Sequence, residues 1–164
     1  MDAIEALRGR RSIRVYETGK AIPKETLETI VDCGRLAATG RNVQPWEFIV
    51  ITSPEKLRQV AAITEYGKFI ADGAACIAVV CEDSKYYIED GAAATQNMMV
   101  AAWSLGIGSC WVAGDKKDYA DQLRTSLGAP DTHKLLSLIA LGYAAKVPSP
   151  RKRPLSEVLH WEQY

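Results

Sequence analysis

At 164 residues, 48% of them hydrophobic and 24% charged, the chain is long enough to bury one sizeable core and short for two. Its 20 basic and 20 acidic residues cancel, so no overall field draws it onto nucleic acid or a membrane surface, and neither partner is expected. The opening MDAIEALRGR has neither the apolar core nor the small-residue cleavage site of a secretory signal, so a cytoplasmic protein is expected.

Residues 2–8 are predicted as a short helix with Ile4 and Leu7 inward. They lead into RGRRSIRVY, where four arginines fall between Arg8 and Arg14. In an extended segment alternate side chains share a face, so Arg10, Ser12 and Arg14 would point together while Ile13 and Val15 turn to the core. Two guanidinium forks beside a hydroxyl suit a cluster of anionic oxygens, and a solvated basic edge has the same pattern. After a turn at Thr18–Lys20, Pro23 opens a helix with Glu25 and Glu28 near its positive end. Leu27, Ile30, Val31 and Gly34 recur at helical spacing, and the helix should end near Ala38, at Thr39-Gly40. A polar turn of Asn42, Gln44 and Pro45 then feeds a strand, Phe48 to Ile51, whose unbroken apolar run predicts cover on both faces.

Ser53 caps a further helix that turns Leu57, Val60 and Ala61 inward. The run from Ala74 to Cys81 reads as a second buried strand, and Asp83 or Ser84 as the cap of a long central helix, Lys85 to Leu105. Gly106 stands where a left-handed cap is needed. From Gly91 to Gly114 there are 24 residues without one formal charge. Adjacent Gln96 and Asn97, with Gly106 and Gly108, argue against a lipid-facing span and for a buried helix followed by a strand, Ser109 to Ala113. Asp115 is the expected cap of a helix carrying Tyr119, Leu123 and Leu127, which Gly128 and Pro130 stop; Leu135 to Leu141 is the fourth strand. The tail, residues 145–164, carries three of the seven prolines and a second basic cluster, Arg151-Lys152-Arg153, before a short turn at Leu155–His160. No repeat or linker divides the chain, so residues 1–164 form one predicted domain.

Much common chemistry is missing. Cys33, Cys76, Cys81 and Cys110 form no CxxC pair, and His133 and His160 stand alone, so spacing supports no metal site. There is no GxSxG, no Cys/His arrangement, no P-loop and no GxGxxG; Gly106-Ile107-Gly108 follows a helix and precedes a strand, the reverse of a dinucleotide fingerprint. Two basic clusters, a polar turn and a glycine-bounded strand remain, a set that suits a ligand with an anionic end and a flat, hydrogen-bonding body.

RRSIRVY, the Asn42-x-Gln44-Pro45-Trp46-x-Phe48 run, Asp90-Gly-Ala-Ala-Ala-Thr-Gln-Asn, GIGSCW, LIALGYA and the late RKR resemble, in order, the signposts of the nitroreductase family of FMN enzymes. The resemblance implies an α+β sandwich: a central, mostly antiparallel sheet of about four to five strands flanked by helices, in an intertwined homodimer whose tail packs on the partner subunit. It implies that Arg10, Arg11 and Ser12, joined by Arg151 and Arg153, hold the FMN phosphate, and that Arg14 faces the flavin pyrimidine edge, where it would stabilise charge near N1. Thr39, Gly40, Asn42 and Gln44 resemble a segment offered to the flavin by the other subunit, although Asn42 and Gln44 could equally pin their own turn. Trp111, Val112, Ala113 and Gly114 resemble the strand beside the isoalloxazine, with a backbone N–H near Ala113 or Gly114 directed at N5. Larger relatives often carry an acidic residue where this chain has Ala113. The implied reaction is ping-pong: NADH or NADPH gives a hydride to flavin N5 and leaves, and a small electron-poor acceptor such as a nitroaromatic or quinone takes two electrons. No protein acid, base or metal is required. The same fold also resembles dehalogenating and oxygen-using flavoenzymes, and a flavin- or phosphate-binding module without turnover would keep both basic clusters.

Overall fold

The computed structural model describes residues 1–164. The fold is α+β. Four strands, β1 (Trp46–Ile51), β2 (Ala75–Glu82), β3 (Gly108–Ala113) and β4 (His133–Gly142), form one sheet in the order β1-β2-β4-β3, every pair antiparallel. The two strands with the longest apolar runs, β2 and β4, take the central places, because only there are both faces covered. β2 gives Ala75, Ile77, Val79 and Cys81 to one face and Cys76, Ala78 and Val80 to the other.

Helices α2 (Lys24–Arg35) and α4 (Tyr87–Ser104) close the first face with Leu27, Ile30, Ala94, Met98 and Ala102. The second is closed by α3 (Pro54–Ile63) and α5 (Ala120–Ser126), through Leu57, Val60, Ala61 and Leu123. Helix α1 (Ala3–Gly9) lies against α4. It opens with a reciprocal cap, Glu5 N–H donating to Asp2 Oδ1 at 2.8 Å and Asp2 N–H to Glu5 Oε2 at 3.1 Å. Small residues let α4 approach the sheet. A Cβ on Gly91 would lie 2.4 Å from Leu136 Cδ2 and 2.7 Å from Cys81 Sγ. Gly106 adopts φ +78° and ends α4 as its position predicts.

Several sequence expectations need correction. Ile4 and Leu7 are exposed and Ala6 is the buried residue of α1, because the helix meets α4 along its small side. Val15 is 54% exposed and Tyr16 is buried in its place, since the segment joins no continuous strand and forms only isolated bridges at Ser12 and Tyr16. β1 is an edge strand: Trp46 and Phe48 pack toward one face and Ile49 and Ile51 toward the other, as expected, but Val50 is exposed. α2 stops at Arg35, short of Ala38. α4 starts at Tyr87 without a side-chain cap from Asp83 or Ser84, and Asp115 caps no helix but accepts a hydrogen bond from the Tyr87 hydroxyl at 2.9 Å. The central strands, the buried α4 and the glycine stops fall where the sequence puts them. No helix is long and apolar enough to cross a membrane.

Candidate functional site

The arginine-bearing segment is fixed on the outer edge of β3. Ile13 N–H donates to Ser109 O at 2.9 Å, Tyr16 OH to Ile13 O at 2.7 Å, and Ala145 N–H to Val15 O at 3.0 Å. Ile13, fully buried, fills the space left by Gly108, whose Cβ would be 2.8 Å from Ile13 Cγ1. With that side chain committed inward, its neighbours are directed away from the core.

Their environments differ. Arg10 is half-buried, and its Nη1 is shut from solvent with no hydrogen-bond partner. Such an orphan is uncommon in a folded chain, because an unpaired buried donor loses its hydration without compensation. Arg11 turns back on α1, its Nη1 donating to Arg8 O at 2.7 Å and Arg10 O at 2.9 Å. Ser12 is half-buried; the nearby Cys110 thiol donates to Trp111 O at 3.7 Å, and burial pushes it above its ordinary pKa while Arg14, Ser12 and Arg10 pull it down. The buried Ser109 hydroxyl next to it has no partner either.

Arg14 is exposed and stacks over the Phe69 ring, 5.9 Å from its centroid. It lines a cleft of about 130 Å³ with Tyr66, Phe69, Trp111, Ala113 and Lys117. Lys117 Nζ is bonded to Glu65 at 3.1 Å and lies 5.2 Å from the Tyr66 ring centroid; the Tyr66 hydroxyl and this lysine together hold the Glu65 carboxyl below its usual pKa. Tyr119 OH donates to Ala113 O at 2.5 Å and fixes the end of β3.

The backbone of that strand narrows one expectation. Gly114 N–H is spent on Leu136 O at 3.1 Å, so of the two donors considered it is already engaged within the sheet. Bonding alternates along an antiparallel edge strand, so the N–H groups of Trp111 and Ala113 face away from β4, off the open edge. Trp111 and Ala113 are exposed on that edge, and Val112 and Gly114 are buried.

The Thr39–Gln44 loop leads into β1, the edge strand opposite β3, and its Gly40 N–H is tied to Asp90 in the first turn of α4. Arg41, Asn42 and Gln44 hold φ of 55°, 58° and 52°, an unusual run for residues other than glycine. Gln44 donates from its backbone to Thr39 Oγ1 at 3.4 Å and from its side chain to Asn42 O at 3.5 Å, both long, so its amide is turned toward its own loop. Arg151 and Arg153 stand in solvent, as does every residue after Pro150. One chain joins the segment carrying Arg10, Ser12 and Arg14 to the edge of β3, ties the Thr39–Gln44 loop to the start of α4, and leaves the tail arginines exposed. Tyr66, Phe69, Lys117 and Tyr119 are the cleft residues that sequence spacing missed; they come from short turns and loops with no period to read. A larger cleft, about 710 Å³, lies between α2 and β1, on Ile22, Leu27, Val31, Arg35 and Val50, and takes in none of the Arg10–Arg14 segment.

The arrangement has no catalytic dyad. His133 pairs with Glu47 at 3.7 Å, and His160 stacks on Tyr164 in the tail. It has a desolvated guanidinium, a second arginine over an aromatic floor, and an edge-strand N–H: an anion contact and a flat wall with a donor.

A model described as "Nitroreductase family" matches residues 7–90 and 62–143. A Methanothermobacter thermautotrophicus protein provisionally named NADH dehydrogenase/NAD(P)H nitroreductase is 31% identical over all of this chain and 88% of its own length. A provisionally named nitroreductase from Desulfovibrio desulfuricans, crystallised in complex with FMN, superimposes with a TM-score of 0.87 at 31% identity, over 100% of this chain and 98% of its own. An FMN-dependent nitroreductase from Clostridium difficile gives 0.91 at 26% identity, over 98% and 99%.

Proposed function

The chain belongs to the nitroreductase family, and from that premise we propose that it is an FMN-dependent NAD(P)H oxidoreductase serving small electron-poor acceptors such as nitroaromatics and quinones. The observation that carries this reading is the buried Nη1 of Arg10. A guanidinium nitrogen removed from water with no acceptor suits a phosphate oxygen, which charge-assisted bonding would hold firmly. When bound, FMN would supply the chemistry, taking a hydride at N5 and returning two electrons to the acceptor.

The protein's part is orientation and charge. Arg10 and Ser12 bind the phosphate, with Arg11 held close by its bonds to α1. Arg14, over the Phe69 ring, would face the pyrimidine edge and stabilise negative charge near N1. The outward N–H of Ala113 would hold N5, and the exposed face of Trp111 would line the ring. Because this donor is main-chain, the lack of a carboxylate at Ala113 leaves it intact.

A homodimer completes the site in this reading. In one chain the Thr39–Gln44 loop leads into β1 while the Arg10–Arg14 segment borders β3, the opposite edge strand, and in this reading the loop would meet the flavin of a second copy. The tail supports the same arrangement. Leu155, Val158, Leu159 and Trp161 are exposed apolar residues on a segment that buries nothing of its own, and Ile4, Leu7 and Val100 leave apolar surface along α1 and α4. Arg151 and Arg153 would then join the phosphate from the wrapped tail.

The test is an absorbance spectrum of the purified protein, with light scattering for its mass and anaerobic addition of NADH or NADPH. A yellow dimer bleached by either nucleotide and recoloured by a quinone is expected. A yellow protein that neither nucleotide bleaches would be a binding module, and a colourless monomer that takes up no FMN would end the proposal.

A further inference from the structure

The Asp90-Gly91 pair opens the longest uncharged run in the chain, yet nothing in the flavin site uses the Asp90 carboxylate. Asp90 is only 5% exposed. It sits in the first turn of α4, and its Oδ1 accepts the Gly40 N–H at 3.0 Å, across 50 residues of sequence. Gly40 is also pressed on the first aromatic of that helix boundary, since a Cβ there would lie 3.0 Å from the Tyr86 ring.

The loop that Gly40 opens has little else to hold it. Its internal side-chain bonds are 3.4 and 3.5 Å long, and three of its residues adopt left-handed backbone that side chains other than glycine resist. A loop in such a conformation persists only when its surroundings over-determine it. The one short bond available for this, apart from the backbone turn itself, is the one to Asp90.

We propose that Asp90 is a positioning residue, whose carboxylate clamps Gly40 and so holds the Thr39–Gln44 loop in the shape it offers to the cofactor of a second copy. The inference rests on the reading of that loop as part of a shared flavin site. It assigns the carboxylate a role beyond favourable charge at a helix N-terminus, and the two roles respond differently to substitution. Asp90→Asn removes the charge and keeps an acceptor oxygen; Asp90→Ala removes both.

The experiment uses the dimeric protein and measures two things: hydrogen–deuterium exchange of the 39–44 amides, and FMN affinity by fluorescence. In Asp90→Ala, Gly40 and its neighbours should exchange about tenfold faster or more, and FMN should bind roughly ten- to hundredfold more weakly. Asp90→Asn should recover most of both. Should the alanine variant not fold, Asp90→Ser, one bond too short to reach Gly40, provides the same comparison. Unchanged exchange in Asp90→Ala overturns the clamp, and so does an asparagine variant as impaired as alanine. Faster exchange with FMN affinity unaltered, in this variant and in Gln44→Ala alike, overturns the inference through its premise: the loop then moves freely but never meets the flavin.

Discussion

Arg10→Met separates what the unpartnered guanidinium does to the protein from what it does for the ligand. In the ligand-free chain Nη1 is buried without an acceptor, and an orphaned buried donor destabilises by about 1–3 kcal/mol. The rest of the side chain is only half-buried, so the lower end, about 1 kcal/mol, is the appropriate figure. Methionine keeps much of the apolar stem and removes the charge. The FMN-free variant should therefore melt higher, by about 2–4 °C for a chain of this size. Ligand binding should move the other way. Losing one charge-assisted bond to phosphate forfeits about 1.5–3 kcal/mol, a Kd roughly ten- to 150-fold weaker. Scanning calorimetry of deflavinated protein reads the first effect, and titration with FMN and with riboflavin reads the second. Riboflavin lacks the phosphate, so its affinity should not change. An equal loss for riboflavin, or a variant that melts lower and binds FMN as before, would refute the placement of Arg10 at the phosphate.

Other outcomes follow from particular contacts. In Gly91→Ala the new methyl meets Leu136 and Cys81 far inside contact distance, and overpacking of about 1–3 kcal/mol should exceed the helix gain from alanine, lowering the melting temperature by a few degrees; a melt at or above wild type would refute it. Burial pushes the Cys76 and Cys81 thiols up to about 12 from 9.0, and burial with the Asp115 hydrogen bond pushes Tyr87 up to about 12 from 10.0. A raised pKa means that the folded state holds these protons more tightly. Their contribution is thus intact below about pH 9 and is lost as pH rises toward 12. Urea midpoints should fall steeply across that window, and a Cys76→Ala, Cys81→Ala double variant should fall less. Truncation after Ala145 should reduce both dimer mass and FMN retention, measured by light scattering and bound-flavin absorbance; a truncated dimer that stays yellow would make Arg151 and Arg153 plain surface residues.

The legible parts of this chain were those in which a local pattern coincides with its environment. Leu27 and Ile30 are buried where their spacing puts them, and the unbroken apolar runs of β2 and β4 lie in the sheet centre. Gly106 and Gly128 take the left-handed backbone their positions require. The same rule overstated β1, whose Phe48, Ile49 and Ile51 find cover on the two faces while Val50, at the sheet edge, is exposed. It also misread Ile4, Leu7 and Val15, which are apolar but exposed on this chain. The arginine cluster was visible as a cluster, yet no spacing rule distinguishes the orphaned Arg10 from Arg11, which is folded back on α1. The Asp90–Gly40 bond and the Phe69 floor under Arg14 join residues 50 or more apart, beyond the reach of any local periodicity.

What the sequence determined by itself was the order of helices and strands, the burial of α4 with its following strand and the ordered motifs of a nitroreductase. All of these are properties of short windows: side-chain period, turn chemistry and residue type. Only the tertiary structure decided that the uncharged Gly91–Gly114 run packs Gly91 onto Leu136 and Cys81, that the Gly114 N–H is consumed by β4 while that of Ala113 faces outward, and that β1 and β3 are the two edge strands. The physical reason is register. Strand order and pairing fix which donors are spent and which side chains meet, and these follow from the simultaneous packing of elements far apart in the chain.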